Sequence, residues 1–393
     1  MSRVRSMASN LHHAALLAAV TALGASVACG DAPGDDPVTA STEAAIIPCV
    51  GPIVYGDLTI ASSTDAMAYR CVEIVHGNLT VTAAPATLQR DVDLSNLRSV
   101  DGDVGLAYAP LLAMPSALRQ IRLGKLQRIG SGVPQQLAAL VPTRPDAMRA
   151  AGPAATGSST ASAGRLAVAV DFGTTVGDAV AFDLAALSQV DGDVSLELKG
   201  NNPLHADDGG ARREVYVTAG LASLTTVHGN LSVTMSSASG VGGNRTLVPF
   251  LPALRAVEGS VTFHPTRANE NGNASLGLET VDGVTSVGGT LRFRNMHLFA
   301  RTSATATALE VLDGALGFVG GAPTVQSLRI QNNPNLDDFQ LGGRVVGSGP
   351  IVIVDNPKLD QCKVDAYVRS QRALGWTGTA TTSGNLAHVG PCP

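Results

Sequence analysis

Short runs of alternating apolar and polar residues recur along this chain behind a common lead-in. LSNLRSVDGDVGL (94–106), LAALSQVDGDVSL (184–196), LASLTTVHGNLSV (221–233) and LPALRAVEGSVTF (251–263) share spaced leucines, a valine, a glycine and then the alternating run. LETVDGVTSVGGTLRF (278–293) is a looser version. Alternation at period two makes each run a strand with one inward face. A unit this small cannot bury that face alone, so copies must stack and cover one another. The pattern predicts an all-β parallel β-helix, a solenoid of stacked coils.

The residues that open the strands mark the coils: Leu58, Leu79, Val104, Val194, Leu231, Val261, Leu291, Leu328 and Ile351. Most intervals between them run from 21 to 37 residues. A glycine precedes many strands, at 56, 77, 102, 192, 229, 259 and 289, and is expected to let the backbone turn tightly into the sheet. KGNNPL, IQNNPNL and VDNPKL follow strands, so Asn202, Asn333 and Asn356 are expected to hold corners, by side-chain bonds to backbone and by tolerating the left-handed conformation. KLDQCKVDAYVRSQRALGW (358–376) predicts a short capping helix with Leu359, Cys362, Ala366, Val368 and Leu374 to one side, Gly375 as its stop and Trp376 in the core of the cap.

Breaks in the pattern divide the chain. Residues 49–133 read as amino-terminal solenoid coils, 134–165 as a low-complexity loop or linker, and 166–393 as a carboxy-terminal solenoid with its capping helix. The periodicity leaves open whether these are one solenoid or two lobes. Insertions at 205–214 and 235–246 lengthen particular coils, and in repeat folds such insertions gather on one surface that is often used for binding.

Ahead of the first coil, Arg3 and Arg5 precede AALLAAVTALGASVA, the length and flanks of a secretory signal rather than a retained membrane span. Residues 1–28 are therefore expected to be a signal peptide, and 29–48 a flexible tether. Ser26-Val27-Ala28-Cys29 is similar to a bacterial lipoprotein processing site, with Cys29 the acylated residue, although leucine is usual where Ser26 stands. Ordinary cleavage near Ala28 is the alternative. Of the other cysteines, Cys49 and Cys71 lie near one end of the folded region and Cys362 and Cys392 near the other. Four cysteines allow three pairings, and pairing within each end would clamp the ends of the stack.

Composition fits a narrow core: 45% apolar and 15% charged residues, 43 glycines and one tryptophan. The formal charge is −5, or −7 without residues 1–28, which gives no attraction for nucleic acid or an anionic bilayer. Membrane contact is expected through the lipid alone. The cysteine spacings suit neither a metal nor a redox pair, and no cofactor is expected.

Chemistry is sparse. Asp57, Asp103 and Asp193 sit at equivalent places beside the turn glycines, and His76 and His228 repeat the position of Asp101, Asp191 and Glu258. Repetition suits a turn residue better than a catalytic one. The dense polar cluster is His205, Asp207, Asp208, Arg212 and Arg213, and Tyr216 and Phe250 are candidate aromatic anchors for a ligand.

The strand-opening G-[ND]-[LV]-x-[VIL], the preceding L-x-x-L-x-x-[VI], the N-N-P-x-L corner and the late cysteine followed by a helix together resemble the receptor L domain. That family is the leucine-rich-repeat-like right-handed β-helix of the insulin and epidermal growth factor receptor ectodomains, and the likeness is greatest to its bacterial secreted versions. It covers 49–106 and 184–392 and is weak over 107–165. The resemblance implies a right-handed solenoid and a role in recognition. This sequence shows neither the Cys-rich module nor the kinase domain of the animal receptors, so hormone binding does not carry over. The expected function is a noncatalytic, monomeric recognition module for a protein or glycan on the outer membrane or cell surface. A passive envelope component and a carbohydrate-active β-helix enzyme are the alternatives.

Overall fold

The alternating runs become strands of a parallel ladder. In the computed structural model, residues 49–83, 92–108, 119–130, 164–171, 180–199, 221–236, 251, 253–266, 283–296, 299–314, 316–390 and 392 are described. All of them belong to one compact unit, 47–393. The main sheet has 21 strands, and two three-stranded parallel sheets lie beside it in sequence. Every strand pairing among the described residues is parallel, which gives a β-solenoid.

Register explains why the strand-opening residues repeat. Leu58 pairs with Leu79, Leu79 with Val104, Val194 with Leu231, Leu231 with Val261, and Val261 with Leu291. Each is buried, as is the residue two places on, from Ile60 and Val81 to Ile330 and Ile353. A third buried column runs through the short strands as Val75, Val100, Ile129, Val190, Val227, Val257 and Val287. Fully burying one such side chain contributes about 1.5–3 kcal/mol, so the core is a sum of many small, equivalent terms. Phe263 and Phe293 stack within it at 5.6 Å between centroids.

The spaced leucines before each strand form a one-turn corner. Leu97 N–H donates to Leu94 C=O at 2.9 Å, and Leu126 to Leu123, Leu187 to Leu184, Leu224 to Leu221 and Leu254 to Leu251 do the same. Both leucines of each pair are buried. Leu336 N–H to Asn333 C=O and Leu359 N–H to Asn356 C=O repeat the corner at the NNPxL and DNPxL sites.

The ladder crosses the 131–163 interval without a break. Strand Leu166–Asp171 pairs with Val104–Tyr108 on one side and Val194–Lys199 on the other, and Gln189–Val190 pairs with Arg128–Ile129.

Two sequence expectations need a different physical reason. The repeated glycine is set mainly by close approach between coils: a Cβ on Gly229 would stand 2.5 Å from the Gly192 carbonyl carbon, and one on Gly259 2.6 Å from the Gly229 oxygen. The glycines bond along the stack, Gly229 N–H to Gly192 C=O and Gly259 N–H to Gly229 C=O, both at 3.0 Å. At the corners the left-handed residues are Asn332 and Asp355, each at φ 58°, and not the following Asn333 and Asn356. Those two are fully buried and act through their side chains. Asn202 lies outside the described residues.

Each end carries a helix and a disulfide. Near the amino end, helix Ser63–Ala68 is started by a capping box between Ser62 and Asp65 and sits in the loop closed by Cys49–Cys71. Near the carboxy end, helix Gln361–Ala373 begins at Asp360, whose side chain accepts from Cys362 N–H at 2.8 Å, and Cys362 is bonded to Cys392. Gly375 ends it at φ 89°. The buried face differs from the one read off the sequence: it carries Cys362, Val364, Tyr367 and Gln371, while Ala366 and Leu374 are exposed. Gln371 decides this orientation. Its amide accepts from Val345 N–H and donates to Gly343 C=O, both at 2.8 Å. Arg344 and Val346 bond back to the preceding coil, so Gln371 meets the groups that a further coil would have met. Trp376 is 2% exposed, with its indole N–H on Gly349 C=O, and belongs to the cap core as expected.

Candidate functional site

The asparagine, aspartate and serine after each glycine are spent on the fold. Asp57 Oδ1 accepts from Asn78 N–H, Asn78 Oδ1 from Asp103 N–H, Asp103 Oδ1 from Arg165 N–H and Asp193 Oδ1 from Asn230 N–H, at 2.6–2.8 Å. Asn230 and Ser260 continue the series onto Ser260 and Thr290. Each side chain thus fastens its coil to the next. Asp57, Asp103 and Asp193 are backbone acceptors, in keeping with their reading as turn residues.

Side chains at or next to the positions before the glycines pair polar groups between coils. His76 meets Asp101 at 2.6 Å, Arg128 meets Asp191 at 2.8 Å and His228 meets Glu258 at 2.9 Å. Such partly exposed pairs contribute little each.

The outward face of the longer strands changes character along the stack. Thr80, Gly105, Ala167, Ser195, Ser232 and Thr262 share one outward row of small residues, which Arg292, Glu310 and Arg329 continue as charge. Arg292 Nε bonds Glu310. Two residues beyond Arg292, Arg294 donates to Asp313, just past strand Thr305–Leu312, at 3.2 Å, and Asp313 also accepts from Asn332 Nδ2 at 3.1 Å. Asn295 Nδ2 stands 3.0 Å from His264 Nε2. Burial, helped by the positive Arg294 and opposed by Asp313, holds the His264 imidazole below its ordinary pKa. The result is a patch of planar donors and acceptors on neighbouring strands and the corners that follow them.

This patch borders a margin. The ends of the strands at Ala83, Tyr108, Asp171, Lys199, Ser236 and Thr266 are register neighbours to within one residue. The described strands that precede the intervals 84–91, 109–118, 172–179, 200–220, 237–250 and 267–282 therefore all end at one corner of the sheet. Further along the stack the same corner is turned tightly by Asn295, Asp313, Asn332 and Asp355, all at φ 54–58°. The interval 131–163 departs elsewhere, after the short strand Arg128–Ile129.

The predicted contact residues His205, Asp207, Asp208, Arg212, Arg213, Tyr216 and Phe250 lie in two of those segments, outside the described residues, as does Cys29. His264, Arg292, Arg294 and Glu310 were missed as a cluster. Alone, each reads as an ordinary outward strand position, and only the register brings them together.

Among the described residues, Asp360, Cys362 and His388 bring metal-ligating atoms within 4.8 Å of one another. With Cys362 bonded to Cys392, they act as a clamp in which His388 Nδ1 and Asp360 Oδ2 lie 3.0 Å apart. No described helix is long and apolar enough to cross a membrane. Set against protein-family models, curated proteins and solved structures, the chain matches none.

Proposed function

We propose that this chain is a noncatalytic recognition module of the receptor L domain type, exported, anchored through a lipid on Cys29 at the outer membrane or cell surface, and monomeric. Its ligand is a protein or a glycan. One observation supports the reading: six strands end in register at the same margin, beside a polar patch on neighbouring coils. Strands that end together at one corner give the intervals after them a common origin, which suits a binding surface because one partner can then be met from several coils.

The test is saturable binding of the full-length protein, in mild detergent, to envelope polysaccharides and surface proteins. The double variant Arg292→Gln/Arg294→Gln is expected to weaken binding at least tenfold, with Ser195→Gln on the small-residue part of the same sheet as the control. Equal loss in both variants, or none in either, removes the patch from the function. No saturable ligand at all moves the reading to a passive envelope component.

A further inference from the structure

We propose that reduction of the Cys362–Cys392 disulfide turns the carboxy-terminal clamp into a tetrahedral site for a thiophilic divalent cation, zinc foremost, held by Asp360, Cys362, His388 and Cys392. Three of the four ligand atoms already lie within 4.8 Å of one another, and the fourth is the sulfur bonded to Cys362. Tetrahedral zinc, with bonds of about 2.0–2.3 Å, needs its ligand atoms about 3.3–3.8 Å apart. Opening the disulfide lets the two sulfurs separate to that distance. Two thiolates, an imidazole and a carboxylate form a donor set that selects zinc over magnesium or calcium.

Three of the four ligands are placed by bonds other than the disulfide, and Cys392 follows His388 by four residues. Leu386 N–H donates to Leu359 C=O at 2.9 Å and Gln361 N–H to Leu386 C=O at 3.0 Å, so the tail is paired to the start of the helix by its backbone. Asn385 adds bonds to Ile353 C=O and to Gln361 Oε1. His388, two residues beyond Leu386, therefore stays beside Asp360 when the sulfurs part. Asp360 keeps its helix-capping bond through Oδ1 and offers Oδ2.

The chemistry balances. A dithiol reductant supplies two electrons and two protons, becomes a disulfide itself, and leaves two protein thiols; the cation then displaces both thiol protons. The helix is tied to the tail in either state, by a covalent bond or by a metal ion.

Cobalt(II) titration of the full-length chain, in mild detergent and before and after reduction, tests this. One cobalt per reduced chain is expected, with the thiolate charge-transfer and visible bands of a tetrahedral site, and none in the oxidised chain. Cys362→Ser/Cys392→Ser abolishes the bands, whereas Cys29→Ser/Cys49→Ser/Cys71→Ser keeps them. His388→Ala and Asp360→Asn each weaken binding at least tenfold, the second retaining a helix-capping side chain. Fluorescence of the single tryptophan, Trp376, checks that the cap stays folded in each variant. Failure of the reduced chain to take up cobalt, equal uptake by the oxidised chain, or unchanged affinity in His388→Ala overturns the proposal.

Discussion

Asn356→Ala should open the stack locally. The Asn356 side chain is fully buried and makes five hydrogen bonds. Oδ1 accepts from Asn333 N–H at 3.1 Å and Asn333 Nδ2 at 3.0 Å; Nδ2 donates to Ile330 C=O, Val354 C=O and Asn385 Oδ1 at 2.9–3.2 Å. Some partners have substitutes: Asn333 Nδ2 still reaches Val311 and Gln331, and Val354 C=O still accepts from Asn332. Among the described hydrogen bonds, Asn333 N–H has no other acceptor. One orphaned buried donor, together with a void of about three heavy atoms, gives an expected loss of about 2–4 kcal/mol. Because a solenoid need not unfold as one unit, the assay is amide exchange at Asn333 and at Gly314, whose N–H rests on Asn333 Oδ1. Protection should fall about 30- to 1,000-fold, the equivalent of that energy. Asn335→Ala, an exposed neighbour bonded to Lys358, should stay within about 0.5 kcal/mol. A loss below about 1 kcal/mol with unchanged exchange at Asn333 would refute the claim that the asparagine ladder holds these coils together.

Three further outcomes follow from the same geometry. Gly229→Ala should destabilise by at least about 1–3 kcal/mol in urea unfolding, since its methyl meets backbone of the previous coil, whereas Gly51→Ala, with nothing within 4 Å, should be neutral. Cys49→Ser/Cys71→Ser opens a clamp of sequence separation 22 and should cost about 3 kcal/mol, read as faster proteolysis of the first coil. His264 is held below its ordinary pKa of 6.5, so between 6.5 and its lower folded-state value the unfolded chain binds more protons. Stability is then greater above this window and falls as the pH drops through it. An NMR titration of His264, and a shallower pH slope in His264→Gln, check the sign.

The coil repeat was legible because each strand must present the same apolar residue at the same step. All nine strand-opening residues named from sequence fall in one register column. Leu309 was missed, so the interval from Leu291 to Leu328 hid two coils; ALEVL follows no glycine-Asx step, and its strand Thr305–Leu312 runs straight through the bend. The last strand, Ala380–Ser383, was missed because as the final member of the ladder it has small, mostly exposed residues in place of isoleucine and valine. The helix face was misjudged because hydrophobicity alone pointed to Ala366 and Leu374. The residue that docks the helix is a glutamine, and its value comes from backbone groups left over by the coil beneath. The polar patch was illegible for a related reason: its members come from strands 18 to 31 residues apart in sequence, aligned only by register.

The corner geometry divides the described coils into two kinds. Where a left-handed Asn or Asp turns the chain at once, at 295, 313, 332 and 355, the coil spends its polar groups on neighbours: Asp313 on Arg294 and Asn332, Asn333 on Gly314, Asn356 on Asn333. Those coils form a frame whose inner asparagines fix spacing and register. In the preceding coils longer intervals of sequence follow the same strand ends, yet the strands keep step, Lys199 opposite Ser236 and Ser236 opposite Thr266. Register there is carried by the glycine contacts and the Asx bonds at the other end of each strand. Sequence change at the margin is thereby uncoupled from the core. A solenoid that fastens its coils at one end of each strand can vary the other end freely, and that freedom suits a margin for recognition.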